Sequence, residues 1–311
     1  MKKKAIIISL KGYKLSKNEI KLFKRYLPWG VILFNRNIKD YNQLKELTSS
    51  IKKITKDKRY PILIDEEGGA VSRLGKIINN SLFSQKYFGN IYKINKSISL
   101  SLYKNYTNEI CNILKSLGIN INTVPVLDLL YTHTSQFLKN RIYSSNINTI
   151  NSLSNICLKT YKKNKVFTVI KHIPGHGLAK SDSHKKLPII SRSIKYLLKN
   201  DFKCFKNKKS LFAMTAHVLF KKIDKKNCAT HSKILIHNYI RKKLGFKGIL
   251  ISDDICMKSL KFNLIENAQK ALDAGCNLAL YCQGNSNESL KLLKNIPPID
   301  TFTKKKNIRI L

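Results

Sequence analysis

Acidic residues are scarce in this chain, with 18 Asp and Glu against 59 Lys and Arg in 311 residues and a formal net charge of +41. The chain also lacks any apolar run close to the roughly 18 residues that a membrane-spanning helix needs. We therefore expect a soluble protein with no membrane partner. The hydrophobic fraction of 43% can build a full core over this length, which excludes a disordered chain despite the charge.

Paired cysteines are absent as well. The seven cysteines show no C-x-x-C spacing and are odd in number, which argues against a disulfide framework and favours a reducing cytoplasm. The first residues, MKKKAIIISLKG, resemble a signal peptide, but the apolar run stops at Lys11 and no small-residue cleavage site follows it. This segment predicts a first strand instead.

Arginine is also rare: it contributes only 8 of the 59 basic residues, and the lysines are scattered from end to end. Nucleic-acid interfaces usually concentrate their basic residues and use Arg for bidentate contacts. Together with the abundance of Asn and Ile, this pattern indicates a coding bias that fills tolerant surface positions with Lys. We expect no specific nucleic-acid partner, and a polyanion-binding or nucleic-acid-binding protein on a catalytically inactive scaffold remains the alternative from another functional class.

Short apolar runs, most of them rich in β-branched residues, recur eight times along the chain. Such near-continuous runs are typical of parallel strands that are buried on both faces. They predict strands at 5–9, 31–34, 62–65, 121–128, 166–172, 211–217, 248–253 and 277–281. Helical spacing between them predicts helices at 18–26, 40–55, 97–117, 148–162, 193–205, 233–244, 257–274 and 287–295, with Gly118 and Gly275 as helix ends.

Eight strands alternating with eight helices in about 300 residues predict an α/β fold, a single (β/α)₈ TIM-type barrel. No low-complexity linker or repeat divides the chain, so we expect one domain over 1–311, with a basic, peripheral tail at 303–311. A doubly wound open sheet is the structural alternative, because the number of strands does not show that the sheet closes.

The few acids are concentrated where a barrel builds its active site, at the C-terminal ends of strands and in the loops that follow. Seven of the 18 occupy such positions: Asp65, Glu66, Glu67, Asp128, Asp182, Asp253 and Asp254. A bias that removes acids elsewhere has spared these positions. We therefore expect the chemistry of the protein at this rim.

Histidines cluster in the same region. The segment KHIPGHGLAKSDSH carries His172, His176 and His184, whereas His217 ends another predicted strand and is more typical of a hydrogen-bonded core residue. A metal site built from the three clustered histidines and Asp182 is disfavoured, since the Pro and Gly residues prevent a helix that would align two ligands. Phosphate binding by the GHG tripeptide is weaker still, because the full Gly-rich spacing is missing.

The spacing of Asp182 and His184 suits general acid/base catalysis. Side chains two residues apart in an extended loop point the same way, so the carboxylate can accept a hydrogen bond from one imidazole nitrogen and leave the other to transfer a proton. The alternative interpretation is a turn in which Asp182 caps backbone amides. Both interpretations remain open from the sequence.

A further predicted strand delivers two adjacent carboxylates, Asp253 and Asp254, to the rim. Since side chains alternate along a strand, we expect one carboxylate to face the pocket, as a candidate nucleophile, and the other to be held by backbone or solvent. A helix N-cap is the alternative role for either residue.

Seven motifs, in order, make the chain resemble the bacterial β-N-acetylglucosaminidases of glycoside hydrolase family 3, the NagZ type. They are GVILFNRN (30–37), IDEEGGAVSRL (64–74), INTVPVLDL (121–129), NRIY (140–143), IKHIPGHGLAKSDSH (170–184), MTAHV (214–218) and LGFKGILISDD (244–254). The K-H-x-P-G-H-G-x4-D-S-H loop and the G-F-x-G-x3-S-D-D strand are highly specific together.

The resemblance implies a role for each matching residue. Asp253 would be the nucleophile that forms a covalent glycosyl-enzyme, and His184, backed by Asp182, would be the acid/base. The subsite for the N-acetylglucosamine ring would be formed by Asp65, Arg73, Arg141, Lys171 and His172. The chain departs from the family pattern at Ala70, where the family usually has an Arg, and at Asn277, where it usually has an acid.

The resemblance also implies the activity. The expected enzyme is a cytoplasmic, monomeric, retaining exo-β-N-acetylglucosaminidase without metal or cofactor, which removes terminal N-acetylglucosamine from peptidoglycan fragments such as GlcNAc-anhydro-MurNAc peptides during cell-wall recycling. A glycoside phosphorylase of the same fold is the alternative, because a His acid/base leaves no carboxylate to repel phosphate. The binding protein on an inactive barrel is the second alternative.

Overall fold

The computed structural model describes residues 2–307. Ten strands occur in these residues: β1 (Lys4–Ser9), β2 (Pro28–Leu33), β3 (Ile62–Ile64), β4 (Ile121–Asn122), β5 (Phe167–Ile173), β6 (Ile189–Ile190), β7 (Phe212–Thr215), β8 (Leu219–Phe220), β9 (Ile249–Asp254) and β10 (Leu278–Tyr281). Eight of them form a closed barrel, and β6 and β8 form a separate two-stranded sheet.

The barrel closes by pairing its first strand with its last. Around the barrel the order is β1, β2, β3, β4, β5, β7, β9 and β10, and β10 returns to β1 with Ile6 opposite Ala279. All these pairings are parallel. Every residue of β2 and β3 is buried, as strands between an inner core and an outer helical layer must be. The predicted barrel is confirmed, and the open sheet is wrong.

Ten α-helices accompany the strands in the described residues: α1 (Lys17–Arg25), α2 (Tyr41–Thr55), α3 (Gln85–Ile94), α4 (Lys96–Ser116), α5 (Gln136–Lys139), α6 (Ile147–Lys163), α7 (Ile194–Lys199), α8 (Leu264–Ala274), α9 (Ser286–Asn295) and α10 (Thr301–Asn307). Local signals explain several ends. Ser16 and Glu19 form a capping box at α1, and Gly275 ends α8 with a φ of 114°. Gly118, with a φ of 74°, follows α4, so both predicted helix ends are confirmed.

Several predicted elements differ from the structure in extent. The strand predicted at 121–128 stops at Asn122, whose carbonyl accepts the amide of Val124 at 2.9 Å, and Pro125 beyond it has no N–H for a ladder. The amide of Leu127 still donates to the carbonyl of Lys171 at 2.7 Å. The helix predicted at 257–274 begins only at Leu264, where the Asn263 side chain caps the amide of Glu266. The cap residue Asn263 therefore indicates the start of this helix, which the hydrophobic spacing alone places too early.

Two other predicted helices are irregular. The segment predicted at 193–205 is α7 followed by a 3-10 helix at Asp201–Phe205, and the one predicted at 233–244 is a π-helix at Leu235–Lys243. Helices α3 and α5 and the last helix, α10, were not predicted.

The chain end is less peripheral than expected. Thr303 is fully buried, and the indole N–H of Trp29 donates to Asn307 at 2.8 Å, so α10 packs on the barrel. The last part of the predicted tail, 308–311, lies outside the described residues. Within residues 2–307 no helix is long and apolar enough to cross a membrane.

Candidate active site

A pocket of about 280 Å³ lies at the C-terminal ends of the barrel strands. It collects residues from the loops after β3, β4 and β5 and from the end of β9. All eight residues predicted as site residues line it: Asp65, Arg73, Arg141, Lys171, His172, Asp182, His184 and Asp253. The structure therefore brings together residues that are separated by almost 190 positions in the chain.

The two adjacent carboxylates at the end of β9 both line the pocket, but their surroundings differ. The Oδ1 of Asp254 accepts hydrogen bonds from the amides of Cys256 and Cys282, both at 3.2 Å. Within residues 2–307 Asp253 accepts one hydrogen bond, from the amide of Asp254 to its Oδ1 at 2.8 Å. Asp254 is thus the carboxylate held by the backbone, and Asp253 keeps an oxygen free for the pocket.

Their pKa values diverge accordingly. Burial, reinforced by the negative charge of Asp253, raises the pKa of Asp254 to about 6. Burial acts in the same direction on Asp253, but His217, His172 and the amide of Asp254 outweigh it and lower the pKa of Asp253 below its ordinary value. At neutral pH the pocket therefore contains an ionised Asp253.

The loop between β5 and β6, residues 174–188, carries Asp182 and His184 to the mouth of the pocket. The Nδ1 of His184 lies 2.7 Å from the Oδ1 of Asp182, and the same oxygen accepts the backbone amide of His184 at 2.9 Å. Asp182 therefore fills both roles that the spacing suggested, since it caps the turn and orients the imidazole. The His184 side chain is 51% exposed and packs edge-on against Phe137, with ring centroids 4.7 Å apart.

A buried ionic network forms one wall of the pocket. The Nζ of Lys171 lies 2.9 Å from Asp65 and 2.6 Å from Glu67. Arg141 binds the two carboxylate oxygens of Glu67 through its Nε and one terminal nitrogen, both at 2.8 Å. Arg73 lies 3.4 Å from Asp65. The network orients the cationic groups that the resemblance assigned to the sugar subsite.

Charge pairing in this network keeps its acids ionised. Burial acts to raise the pKa of Glu67, but Arg141 and Lys171 outweigh it and lower that pKa to about 2. Burial is likewise outweighed at Asp65, whose pKa falls below its ordinary value because of Lys171 and Arg73. The sequence predicts Glu67 only as an acid at the rim. Its partner Arg141 is 74 residues away, so no local spacing predicts their contact.

A second histidine-carboxylate pair stands at the base of the pocket. The Nδ1 of His172 lies 2.7 Å from Asp128, which also accepts the amide of His176 at 2.7 Å. The His176 side chain lies 3.2 Å from the hydroxyl of Ser183, next to His184, and burial lowers the pKa of His176 to about 4. The sequence predicts that Asp128 lies at the rim, but it does not predict the contact between Asp128 and His172.

Packing explains the glycine of the GHG tripeptide. A Cβ on Gly177 would lie 1.8 Å from the carbonyl oxygen of Leu129, so the β5–β6 loop can approach the loop after β4 only with glycine at this position. Among residues 2–307 no three His, Cys, Asp or Glu side chains form a group that could hold a metal ion. His217 bonds Thr230 and the carbonyl of Asp254 and does not line the pocket, as expected of a core histidine.

Known proteins resemble this arrangement over nearly the whole chain. The model of the glycosyl hydrolase family 3 N-terminal domain matches residues 3–302. The chain belongs to glycosyl hydrolase family 3. The predicted family is confirmed, and so is the prediction that the protein is a glycoside hydrolase.

Relatives of this family 3 hydrolase cover most of its length. A β-hexosaminidase of Haemophilus influenzae is 31% identical over 304 residues, which span 94% of this chain and 85% of that protein. A β-hexosaminidase of Psychromonas ingrahamii is 32% identical over 297 residues, with 94% and 86% covered. The crystal structure of NagZ from Neisseria gonorrhoeae in complex with N-trifluoroacetyl-D-glucosamine superposes with a TM-score of 0.88 at 26% identity and covers 100% of this chain and 90% of that one.

The two departures from the family pattern lie in different places in this hydrolase. Ala70 is exposed and lines the pocket, so the missing Arg side chain leaves space there. Asn277 lies away from the pocket, and its Oδ1 accepts hydrogen bonds from Arg241 at 2.9 Å and from the amide of Leu250 at 2.8 Å. A neutral amide therefore supplies the acceptor that Arg241 needs, without the charge of an acid.

Proposed function

We propose that this hydrolase is a retaining exo-β-N-acetylglucosaminidase that uses Asp253 as nucleophile and His184 as acid/base. The observation that carries the proposal is the contrast between the hydrogen bonds of the two carboxylates of β9. A nucleophile needs an oxygen that is free to attack. Within residues 2–307 Asp253 accepts one backbone amide, whereas the Oδ1 of Asp254 accepts two.

The proposed reaction has two steps. Asp253 attacks the anomeric carbon as the bond to the leaving-group oxygen breaks, and His184 donates a proton to that oxygen, so that a glycosyl ester forms on Asp253. In the second step His184 takes a proton from water, the resulting hydroxide attacks the anomeric carbon, and the carboxylate of Asp253 is released. Two inversions return the sugar with its original β configuration. Asp182 supports both steps, because its ionised form stabilises a protonated His184.

The same pocket offers the groups that a sugar ring needs. Lys171, Asp65 and His172 line it, together with Arg73, whose buried Nε has no hydrogen-bond partner within the described part of the chain. We assign these groups and Arg141 to hydroxyl and N-acetyl recognition. An unpartnered buried N–H is costly unless a ligand accepts from it, which supports a polar ligand at this position.

The proposed substrate is a peptidoglycan fragment with a terminal N-acetylglucosamine, such as a GlcNAc-anhydro-MurNAc peptide, cleaved during cell-wall recycling. Relatives named β-hexosaminidase and a neighbour bound to an N-acetylglucosamine analogue support the sugar. Seven free cysteines, five of them buried, support a cytoplasmic location. We further propose that residues 1–311 act as a monomer with a single barrel domain.

Hydrolysis of a nitrophenyl N-acetylglucosaminide tests the proposal. Asp253→Ala should abolish nitrophenol release, while Asp273→Asn, a change at an exposed acid on α8, should retain it. Full turnover by Asp253→Ala would refute the assignment. The product should be free β-N-acetylglucosamine in phosphate buffer, and a sugar 1-phosphate would instead identify a phosphorylase.

A further inference from the structure

The GHG tripeptide contains a buried histidine that the proposed reaction does not use. His176 is 3% exposed, and its amide donates to Asp128 at 2.7 Å. The glycines on both sides of it are close-packed, since a Cβ on Gly175 would lie 2.7 Å from the Cβ of Asp201 and a Cβ on Gly177 would overlap the loop after β4. The backbone of His176 is therefore held in one position at the wall of the pocket, which its side chain lines.

Ser183 is the buried residue between the two members of the proposed acid/base pair. It is 5% exposed, whereas the side chains of Asp182 and His184 are 23% and 51% exposed. Within residues 2–307, one hydrogen bond joins the segment 180–187 to the rest of the chain, and in it the Nε2 of His176 lies 3.2 Å from the Oγ of Ser183. The other hydrogen bonds of this segment are accepted by Asp182 and stay inside it. Hydrogen bonding therefore ties the Asp182–His184 pair to the barrel through Ser183.

His176 itself is unsuited to proton transfer. Its burial, reinforced by the nearby His172, lowers its pKa to about 4, so its imidazole is uncharged at neutral pH. A general acid needs a pKa closer to the working pH. A neutral imidazole still forms a hydrogen bond with a hydroxyl group, because one ring nitrogen donates and the other accepts. The side chain of His176 is thus able to hold Ser183 around neutral pH without carrying a charge.

We propose that His176 is a positioning residue, which acts through Ser183 to keep His184 directed at the oxygen of the leaving group. The inference rests on the proposed function, in which His184 protonates that oxygen. Proton transfer requires a hydrogen-bond distance between the imidazole and the oxygen, and a misplacement by about 1 Å costs about a hundredfold in rate. A half-exposed histidine on a segment held by one hydrogen bond is sensitive to such a displacement. Asp253 belongs to a barrel strand, so its attack does not depend on this bond.

The test compares two substrates that differ in their need for a proton. One is the GlcNAc-anhydro-MurNAc disaccharide, whose leaving group needs a proton, and the other is a dinitrophenyl N-acetylglucosaminide, whose leaving group does not. The measured quantity is the ratio of kcat/KM for the disaccharide to kcat/KM for the dinitrophenyl glycoside, since kcat/KM reports the formation of the glycosyl-enzyme. A variant that is merely less stable or partly unfolded loses both values together, so its ratio stays at the wild-type value.

The expected changes in this ratio follow from the loss of one hydrogen bond between neutral groups. Ser183→Ala should lower the ratio about five- to tenfold. His176→Leu should lower it by the same factor, and the double variant should lose no more than either single variant, because both changes remove one interaction. Ser181→Ala is the matched control, a change at a half-buried serine of the same loop, and it should leave the ratio unchanged. His184→Ala should lower the ratio further than any of these.

The outcomes separate this inference from the proposed function. An unchanged ratio in Ser183→Ala, an equal loss in Ser181→Ala, or losses that multiply in the double variant overturn the inference. The first two outcomes decide even if the His176 variant does not fold. If His184→Ala lowers the ratio and Ser183→Ala does not, the inference alone fails. A ratio that His184→Ala leaves unchanged refutes the proposed acid, and with it the proposed function.

Discussion

Removal of the charge of Lys171 would expose how much the fold depends on the ionic network of the pocket. The side chains of Lys171 and Glu67 are 2% and 1% exposed, and the ammonium group lies between Glu67 and Asp65. Lys171→Met keeps most of the side-chain volume but leaves two buried carboxylates facing each other. Arg141 remains to neutralise Glu67, and Arg73 contacts Asp65 only at 3.4 Å.

The magnitude follows from the pKa of Glu67. Lowering a carboxyl pKa from 4.5 to about 2 corresponds to about 3 kcal/mol in favour of the ionised, folded form at neutral pH. Arg141 supplies part of this stabilisation and Lys171 the rest, and Asp65 loses its main partner in the same substitution. Breaking a buried pair by removing one member typically costs about 3–5 kcal/mol, and we expect Lys171→Met to fall in this range at pH 7.

The effect should depend on pH in a defined direction. The folded pKa of Glu67, about 2, lies below its unfolded value of 4.5, so the stabilisation is complete above pH 4.5 and is lost as the pH falls toward 2. In the variant the two carboxylates take up protons at higher pH, which relieves their repulsion. The difference between wild type and variant should therefore be largest at neutral pH and already smaller at pH 4.

Urea unfolding at pH 7 and pH 4 measures this difference in the free energy of unfolding. Lys242→Met is the control, because Lys242 is exposed, and it should change stability by less than about 0.5 kcal/mol. A loss at pH 7 no larger than that of the control, or a loss that does not shrink at pH 4, would refute the argument.

The remaining predictions concern the acid/base pair and the second carboxylate of β9. His184→Ala should lower kcat by about 10²–10⁴ for a disaccharide, whose leaving group needs a proton, but less for a dinitrophenyl glycoside, whose leaving group does not. Asp182→Asn should show the same substrate dependence with a smaller loss, and equal losses on both substrates would contradict the acid role. Since the folded pKa of Asp254, about 6, lies above its unfolded value of 3.8, its ionisation costs stability as the pH rises between these values. Asp254→Asn should therefore raise the free energy of unfolding by about 1–3 kcal/mol at pH 7 and by little at pH 4, and a uniform change in urea unfolding at both pH values would argue against it.

The parts of the site that could be predicted are those whose geometry is local. Asp182 and His184 are two residues apart, so their contact follows from the backbone of one loop. Asp253 and Asp254 are adjacent, and alternation along a strand already indicated different surroundings for the two. The scarcity of acids also indicates the rim, because in a chain with only 18 acids an acid at the end of a strand marks a position that requires a carboxylate.

Other contacts join residues that no local spacing relates. Glu67 and Arg141 are 74 positions apart, and Asp128 and His172 are 44 apart. The short helix α5, which carries Phe137 to His184, has only four residues and gives no periodic signal. Similarly, β4 ends before Pro125 and α8 begins after its cap residue Asn263. Both bounds differ from the predicted ones because hydrogen bonds, not hydrophobic spacing, determine where an element starts and stops.

The sequence by itself determined the alternation of strands and helices, the family, and the set of residues at the rim, because these properties depend on local pattern and composition. The tertiary structure decided which of those residues share a pocket and how the pKa values of the two carboxylates of β9 differ. Each of these depends on burial and on charges brought close by barrel closure.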